Sequence, residues 1–186
     1  MVQCSILRTH VEIFDESLAR VRALLADVDS ETASRQPQPG SWSTLQALEH
    51  LNTTAQVYFP RIERALAEAK PGGEPYANGT LTGRLMVKQL QPDSGKRMKA
   101  PKVFRPPTTA LTVVRVLDDF ERNHEQWLRL LEAADGLDLG RARVRLPLPI
   151  PIHMSVAQAY EVHTLHVPRH VAQAERAARA SGSASA

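Results

Sequence analysis

Sulfur chemistry is nearly absent from this chain. Cys4 is the only cysteine in 186 residues, so an internal disulfide is impossible and thiolate ligation of a metal has at most one contributor. A cysteine nucleophile would have to be this one, close to the N-terminus and without the organised electropositive setting that reactive thiolates need. Long apolar runs are missing too, since none approaches the roughly 18 residues that span a bilayer. The opening MVQCSILRTHVEIFDESL has no basic stretch ahead of an apolar block and carries Glu12 and Asp15 early. No signal peptide is expected, and the cytoplasm is the default location. Charge of one sign is also scarce: 23 basic against 20 acidic residues leave a formal +3, carried largely by scattered arginines. Nucleic-acid binding needs cations clustered on one face and is not expected. A Gly-rich phosphate loop, GxSxG and CxxC are all lacking.

What the chain does have is helical periodicity. Leu7, Val11, Phe14, Leu18, Val21, Leu25 and Val28 recur at steps of four and three, which predicts a first core-facing helix. QPQPGSWS then makes a turn. Ser43 with Gln46 reads as a capping box, so a second helix opens there with Leu48, Leu51, Ala55, Tyr58, Ile62 and Leu66 as its stripe. From the PGG at 71–73 to Pro107 the chain reads mostly as loop, with room for a short helix over 80–90. KAPKVFRPP is expected to pack on the domain in extended form, and the loop to wall part of a pocket. A third helix is predicted over 108–134, with Val113, Leu117, Phe120, His124, Leu128 and Leu131 inward and Gly136 as its C-terminal cap. ARVRLPLPIPIHM reads as an extended connector. Ser155 is positioned to cap a last helix, VAQAYEVHTLHVPRHVAQAERAARA. Four long amphipathic helices without a strand pattern predict an all-α four-helix bundle with a long loop between helices 2 and 3. It forms one domain over 1–180, and the tail SGSASA (181–186) is expected to be disordered.

The chemistry concentrates in HTLHVPRH. Three of the seven histidines, His163, His166 and His170, fall within eight residues, and at about 100° per residue they share one helix face with Gln173. Two histidines at i and i+4 can offer two imidazole nitrogens to one ion. The pattern is not HExxH, because Val167 follows His166 where a zincin places its glutamate. An open catalytic site needs a third protein ligand, and His10, His50, His124 and His153 are the remaining histidines. Periodicity ranks His124, on an apolar stripe, above His50, which lies off the middle of its own. Pro168 removes the hydrogen bond to the Thr164 carbonyl and bends the helix, either as a tolerated kink or as a device setting the His166–His170 separation.

GSWSTLQALEHL, then KAPKVFRP, then a late HxxxHxxQ from His166 to Gln173, in that order over residues 6–178, resembles the DinB-like superfamily of metal-binding four-helix bundles. The resemblance implies one divalent metal ion, zinc or nickel, held by His50, His166 and His170. His163 falls outside that set, as an alternative ligand, an outer-shell partner or an exposed residue. It further implies a metal-dependent hydrolase or a thiol-dependent transferase acting on a small molecule, the transferase with a low-molecular-weight thiol, and a possible homodimer. The alternative is a non-catalytic bundle with a structural or vestigial metal site. Glu49 is a weak candidate for a base or an orienter, beside its simpler reading as a solvated carboxylate. Glu161 and Asp118 are weaker still. Arg169 is placed to hold an anionic substrate, and Trp42 to pack at the start of its helix.

Overall fold

A computed structural model describes residues 2–72, 79–91, 100–107 and 110–182. Among them are six α-helices, α1 (Ser5–Asp27), α2 (Ser30–Ser34), α3 (Thr44–Ala67), α4 (Leu81–Leu90), α5 (Val113–Ala134) and α6 (Val156–Gly182), and a two-stranded ribbon of β1 (Arg143–Arg145) and β2 (His153–Ser155). The four long helices form the bundle. α3 packs against α5 and α6, and α1 packs against the same two, so α1 and α3 sit across one diagonal and α5 and α6 across the other. This arrangement gives α3 and α6 a shared face although α4 and α5 separate them in the chain.

Local signals start α3 and α6 where the sequence predicts. Gln46 N–H donates to Ser43 Oγ at 3.2 Å and Ser43 N–H donates to Gln46 Oε1 at 3.0 Å, which completes the capping box of α3. Ser155 and Gln158 repeat the device at the start of α6, with both reciprocal distances at 3.2 Å. Gly136, at φ +78°, ends the turn after α5 in the left-handed conformation that glycine adopts without steric cost. α3 runs unbroken through Pro60 and α6 through Pro168.

The stripe of α3 is buried throughout, and that of α1 is buried except at its partly covered Val11 and Val28. α5 differs from the expectation. Its buried positions are Val116, Phe120, Asn123, Trp127, Leu130, Leu131 and Ala134, a face rotated from the predicted one. Apolar residues occur at both phases of this helix, and the largest side chain decides between them. Trp127 stacks on Phe14 at 5.1 Å and meets Phe59 edge-on at 5.0 Å, so the face that buries it removes the most apolar surface from water. Asn123 can join that face because its Nδ2 donates to Asn52 Oδ1 at 3.0 Å. The helix starts at Val113, capped by Thr112, and not at the predicted Thr108: residues 110–112 are not helical, and 108 and 109 lie outside the described residues.

Two connections and the C-terminus also depart from the expectation in part. The predicted extended connector folds back on itself, pairing Arg143 with Ser155, Val144 with Met154 and Arg145 with His153. Val144 and Met154 are fully buried while Arg143, Arg145 and His153 are exposed, a period of two that Pro147, Pro149 and Pro151 between the strands obscure. The stretch between the second and third predicted helices holds α4, ten residues long and packed on α6 and β2, where the sequence leaves room for a short helix. Residues 102–104 of the same stretch form a 3-10 turn rather than extended chain. Finally, α6 continues through Ser181 and Gly182 into the predicted tail. Ser181 Oγ donates to the Arg35 carbonyl at 3.1 Å, while 183–186 lie outside the described residues.

One side chain fixes α4. Gln158 Oε1 accepts from Thr80 N–H at 2.9 Å, and Gln158 Nε2 donates to the Thr80 carbonyl at 2.9 Å. Gly83 lets the helix approach this amide: a Cβ there would lie 2.1 Å from Gln158 Oε1. Gly83→Ala therefore forces the bonded amide aside and is expected to lower unfolding free energy by about 1–3 kcal/mol in urea titrations. A second prediction concerns acid. Burial lowers the His10 pKa from 6.5 to about 4. Between those values the unfolded chain binds a proton that the folded chain refuses, so stability is full above the unfolded value and falls as pH drops through the window. The loss from His10 is on the order of 3 kcal/mol, and His10→Leu should flatten the slope of urea midpoint against pH between 6.5 and 4.

Candidate metal centre

His50 lies in the second turn of α3, and His166 and His170 lie one turn apart on α6. The shared α3–α6 face brings one nitrogen from each into a group whose members are all within 4.8 Å of one another. Ring centroids are 5.0 Å apart for His50–His166, 4.6 Å for His50–His170 and 4.4 Å for His166–His170. The last pair keeps the i, i+4 spacing of a helix that Pro168 does not interrupt. His50 is buried, whereas His166 and His170 are only partly covered, so the group reaches solvent on the α6 side. Among the described residues no cysteine, aspartate, glutamate or fourth histidine joins it.

Hydrogen bonds orient two of the rings. The His50 Nδ1–H donates to the Phe104 carbonyl at 2.6 Å, so the His50 Nε2 carries a lone pair. The His170 Nδ1–H donates to Gln173 Oε1 at 2.9 Å, which likewise frees its Nε2. His50 Nε2 faces His166 Nε2 at 3.1 Å. Two lone pairs cannot meet at that distance without a proton or a cation between them. Two nitrogens each about 2.0–2.1 Å from a tetrahedral zinc stand about 3.3 Å apart, so the observed spacing suits that ion. Burial is the main cause holding all three imidazoles neutral: it lowers His50, takes His170 to about 3, and takes His166 well down, with the neighbouring imidazoles adding to the effect on the last two. Neutral imidazole is the form that ligates a metal.

Around the group, Trp42 lies 4.8 Å from His50 and 5.9 Å from His170, so it covers these histidine rings as well as the start of α3. Phe104 stacks on Tyr58 at 5.9 Å, and this anchors the turn that supplies the carbonyl to His50. Burial also raises the Tyr58 hydroxyl to about 12. No side-chain pattern in the sequence identifies the Phe104 carbonyl, because every residue offers one.

The remaining candidates separate. His163 is buried rather than exposed and lies outside the group, with its ring 6.3 Å from His166. Glu49 is buried, not solvated. It accepts from Asn52 Nδ2 at 3.3 Å, and that amide also donates to the Val116 carbonyl of α5, so the carboxyl belongs to the α3–α5 face, where burial raises its pKa. Glu161 is half-buried and pushed up by burial, and Asp118 is exposed. Arg169 lies close enough for its charge to help lower His166 and His170. His124, which periodicity ranks first, meets Asp15 of α1 at 2.7 Å instead, and His153 is exposed on β2.

The family model described as the DinB superfamily matches residues 13–174. The chain belongs to the DinB superfamily. Among solved structures, this DinB-superfamily chain is similar to YfiT from Bacillus subtilis at 16% identity and a TM-score of 0.61, over 93% of this chain and 86% of that one. YfiT is described as "a probable metal-dependent hydrolase with an unusual four-helix bundle topology". At that identity the likeness shows the fold, which this chain shares. No curated protein matches the chain in sequence. No helix among the described residues is long and apolar enough to cross a membrane.

The geometry separates the two histidines that sequence ranked in the opposite order. His124→Ala should leave zinc affinity unchanged in a chelator-competition titration. Because Asp15 is largely exposed, the stability cost should stay below about 1 kcal/mol.

Proposed function

We propose that this protein is a metal-dependent hydrolase of a small-molecule substrate, with His50, His166 and His170 as the ligands. The observation that carries this reading is the convergence of three neutral imidazole nitrogens within 4.8 Å, two of them already oriented by bonds at their Nδ1. A divalent ion such as zinc or nickel held by these three neutral imidazoles would supply Lewis-acid activation and would lower the pKa of a water molecule towards neutrality.

The chain's own residues do the rest. The Phe104 carbonyl and Gln173 hold His50 and His170 in the tautomer that presents Nε2, and a ring held this way is a stronger, better-aimed ligand. Trp42 covers one side of the ligand rings. The partly exposed sides of His166 and His170 leave an approach for substrate. The absence of a fourth donor from the group, among the described residues, favours an open catalytic site over a closed structural one. Glu49 is not assigned a catalytic role, because its carboxyl is engaged at the α3–α5 face. A thiol-dependent transferase would use the same ligands and open position, and differs in requiring a low-molecular-weight thiol.

Metal analysis followed by activity screening tests the proposal. The purified protein should bind one equivalent of zinc or nickel, and His50→Ala and His170→Ala should each weaken binding by 100-fold or more, a loss of about 2.7 kcal/mol. Ester or amide hydrolysis should disappear on chelation and return with metal. Turnover only in the presence of an added thiol would move the assignment to the transferase. Failure to bind zinc, nickel or manganese, or undiminished binding by His170→Ala, would overturn the ligand set.

A further inference from the structure

Each of the three ligand rings has a second nitrogen, and two of those nitrogens have partners. His50 Nδ1 reaches the Phe104 carbonyl at 2.6 Å and His170 Nδ1 reaches Gln173 at 2.9 Å. His166 breaks the pattern. Its Nδ1 is buried and has no hydrogen-bond partner among the described residues. One turn earlier on α6, His163 Nε2 is in the same condition, on a side chain only 2% exposed. Buried imidazole nitrogens are not left unpaired without cost, and two such atoms one turn apart invite a common explanation.

His163 is held firmly. Tyr58 of α3 and Trp127 of α5 each lie 4.6 Å from its ring. It meets His166 edge-on at 89° with centroids 6.3 Å apart. Helical side chains lean towards the N-terminus of their helix, so His166 tips towards the turn that carries residue 163. No direct bond joins the two rings. Polar groups separated by more than about 3.5 Å are commonly joined through one water.

We propose that His163 is a positioning residue for His166, linked to it through a single buried water. The inference rests on reading His50, His166 and His170 as metal ligands. The His166 Nδ1–H donates to the water oxygen, and the water donates to the lone pair on His163 Nε2, whose own proton sits on Nδ1. Both otherwise unpaired nitrogens are then satisfied. Every ligand gains an outer partner: a backbone carbonyl for His50, an amide for His170 and a water-linked imidazole for His166. Such partners fix the ligand's tautomer and the direction of its lone pair.

The test compares His163→Phe, which keeps an aromatic ring, with His163→Gln, which restores a polar atom near the position of Nε2. Zinc affinity is read by chelator competition, and the imidazole nitrogens of the zinc-loaded protein by 15N NMR. His163→Phe should bind zinc about 10–100-fold more weakly, and His163→Gln should recover most of that loss. In the wild-type protein the His166 Nδ1 proton should exchange slowly, with His163 Nε2 appearing as a hydrogen-bonded acceptor. Unchanged zinc affinity in His163→Phe, with His166→Ala still losing zinc, would overturn this inference alone. Zinc retained by both His166→Ala and His170→Ala would overturn the ligand reading, and this inference with it. If His163→Phe does not fold, the wild-type spectrum decides: a proton on His163 Nε2 excludes the proposed link.

Discussion

The packing of α3 against α6 is the contact on which the rest of this molecule depends. A metal site built from two helices needs their side chains to converge within a few ångströms, and the helices can hold that geometry only if the surface around it is closely packed. Leu48, Leu51 and Ala55 on one side and Val167, Val171 and Ala174 on the other are buried members of one hydrophobic core. The three histidines sit at its edge, partly in the core and partly towards solvent. That position has two consequences. Burial keeps the imidazoles neutral, and the α6 side of the group stays open to solvent.

A second constraint acts through protons. Three imidazoles facing one point must each keep a lone pair directed inward, and a ring does this when its other nitrogen gives its proton to something outside. For His50 the acceptor is a backbone carbonyl in a turn between α4 and α5, far away in the chain, and the turn is held by Phe104 stacked on Tyr58. For His170 it is Gln173 on the same helix. The two mechanisms differ in what they require. A side chain three residues along comes with the helix itself, whereas the Phe104 carbonyl reaches His50 only when the turn over Lys102–Phe104 packs against α3.

The polar residues of the core divide into separate tasks. Glu49, Asn52 and Asn123 satisfy one another and the Val116 carbonyl where α3 meets α5. Gln158 joins α6 to the start of α4, and Gly83 is without a side chain where that amide passes. Each set is bonded within the protein, which is how buried polar groups are normally tolerated. They register the helices and leave the histidines on the α3–α6 face as the group available to a cation.

The sequence by itself left open whether His163 or His166 pairs with His170, which the packing of α3 on α6 decided, but it determined the four long helices, their caps at Ser43 and Ser155, and the shared helix face of His163, His166 and His170. Each of these depends on residues a few positions apart, where backbone geometry fixes which side chains are neighbours. The superfamily resemblance named His50, although periodicity preferred His124. That preference failed because α3 is buried on two sides, against α5 and against α6, so a histidine off its main stripe still faces the interior. The rotated face of α5 has a similar origin. Two apolar phases compete along that helix, and only Trp127 meeting Phe14 and Phe59 resolves them. The pairing of β1 with β2, the turn over Lys102–Phe104 and the Phe104 carbonyl on His50 were decided by tertiary structure alone. Each involves backbone groups, and a backbone carbonyl or N–H carries no mark in the sequence of which partner it will meet.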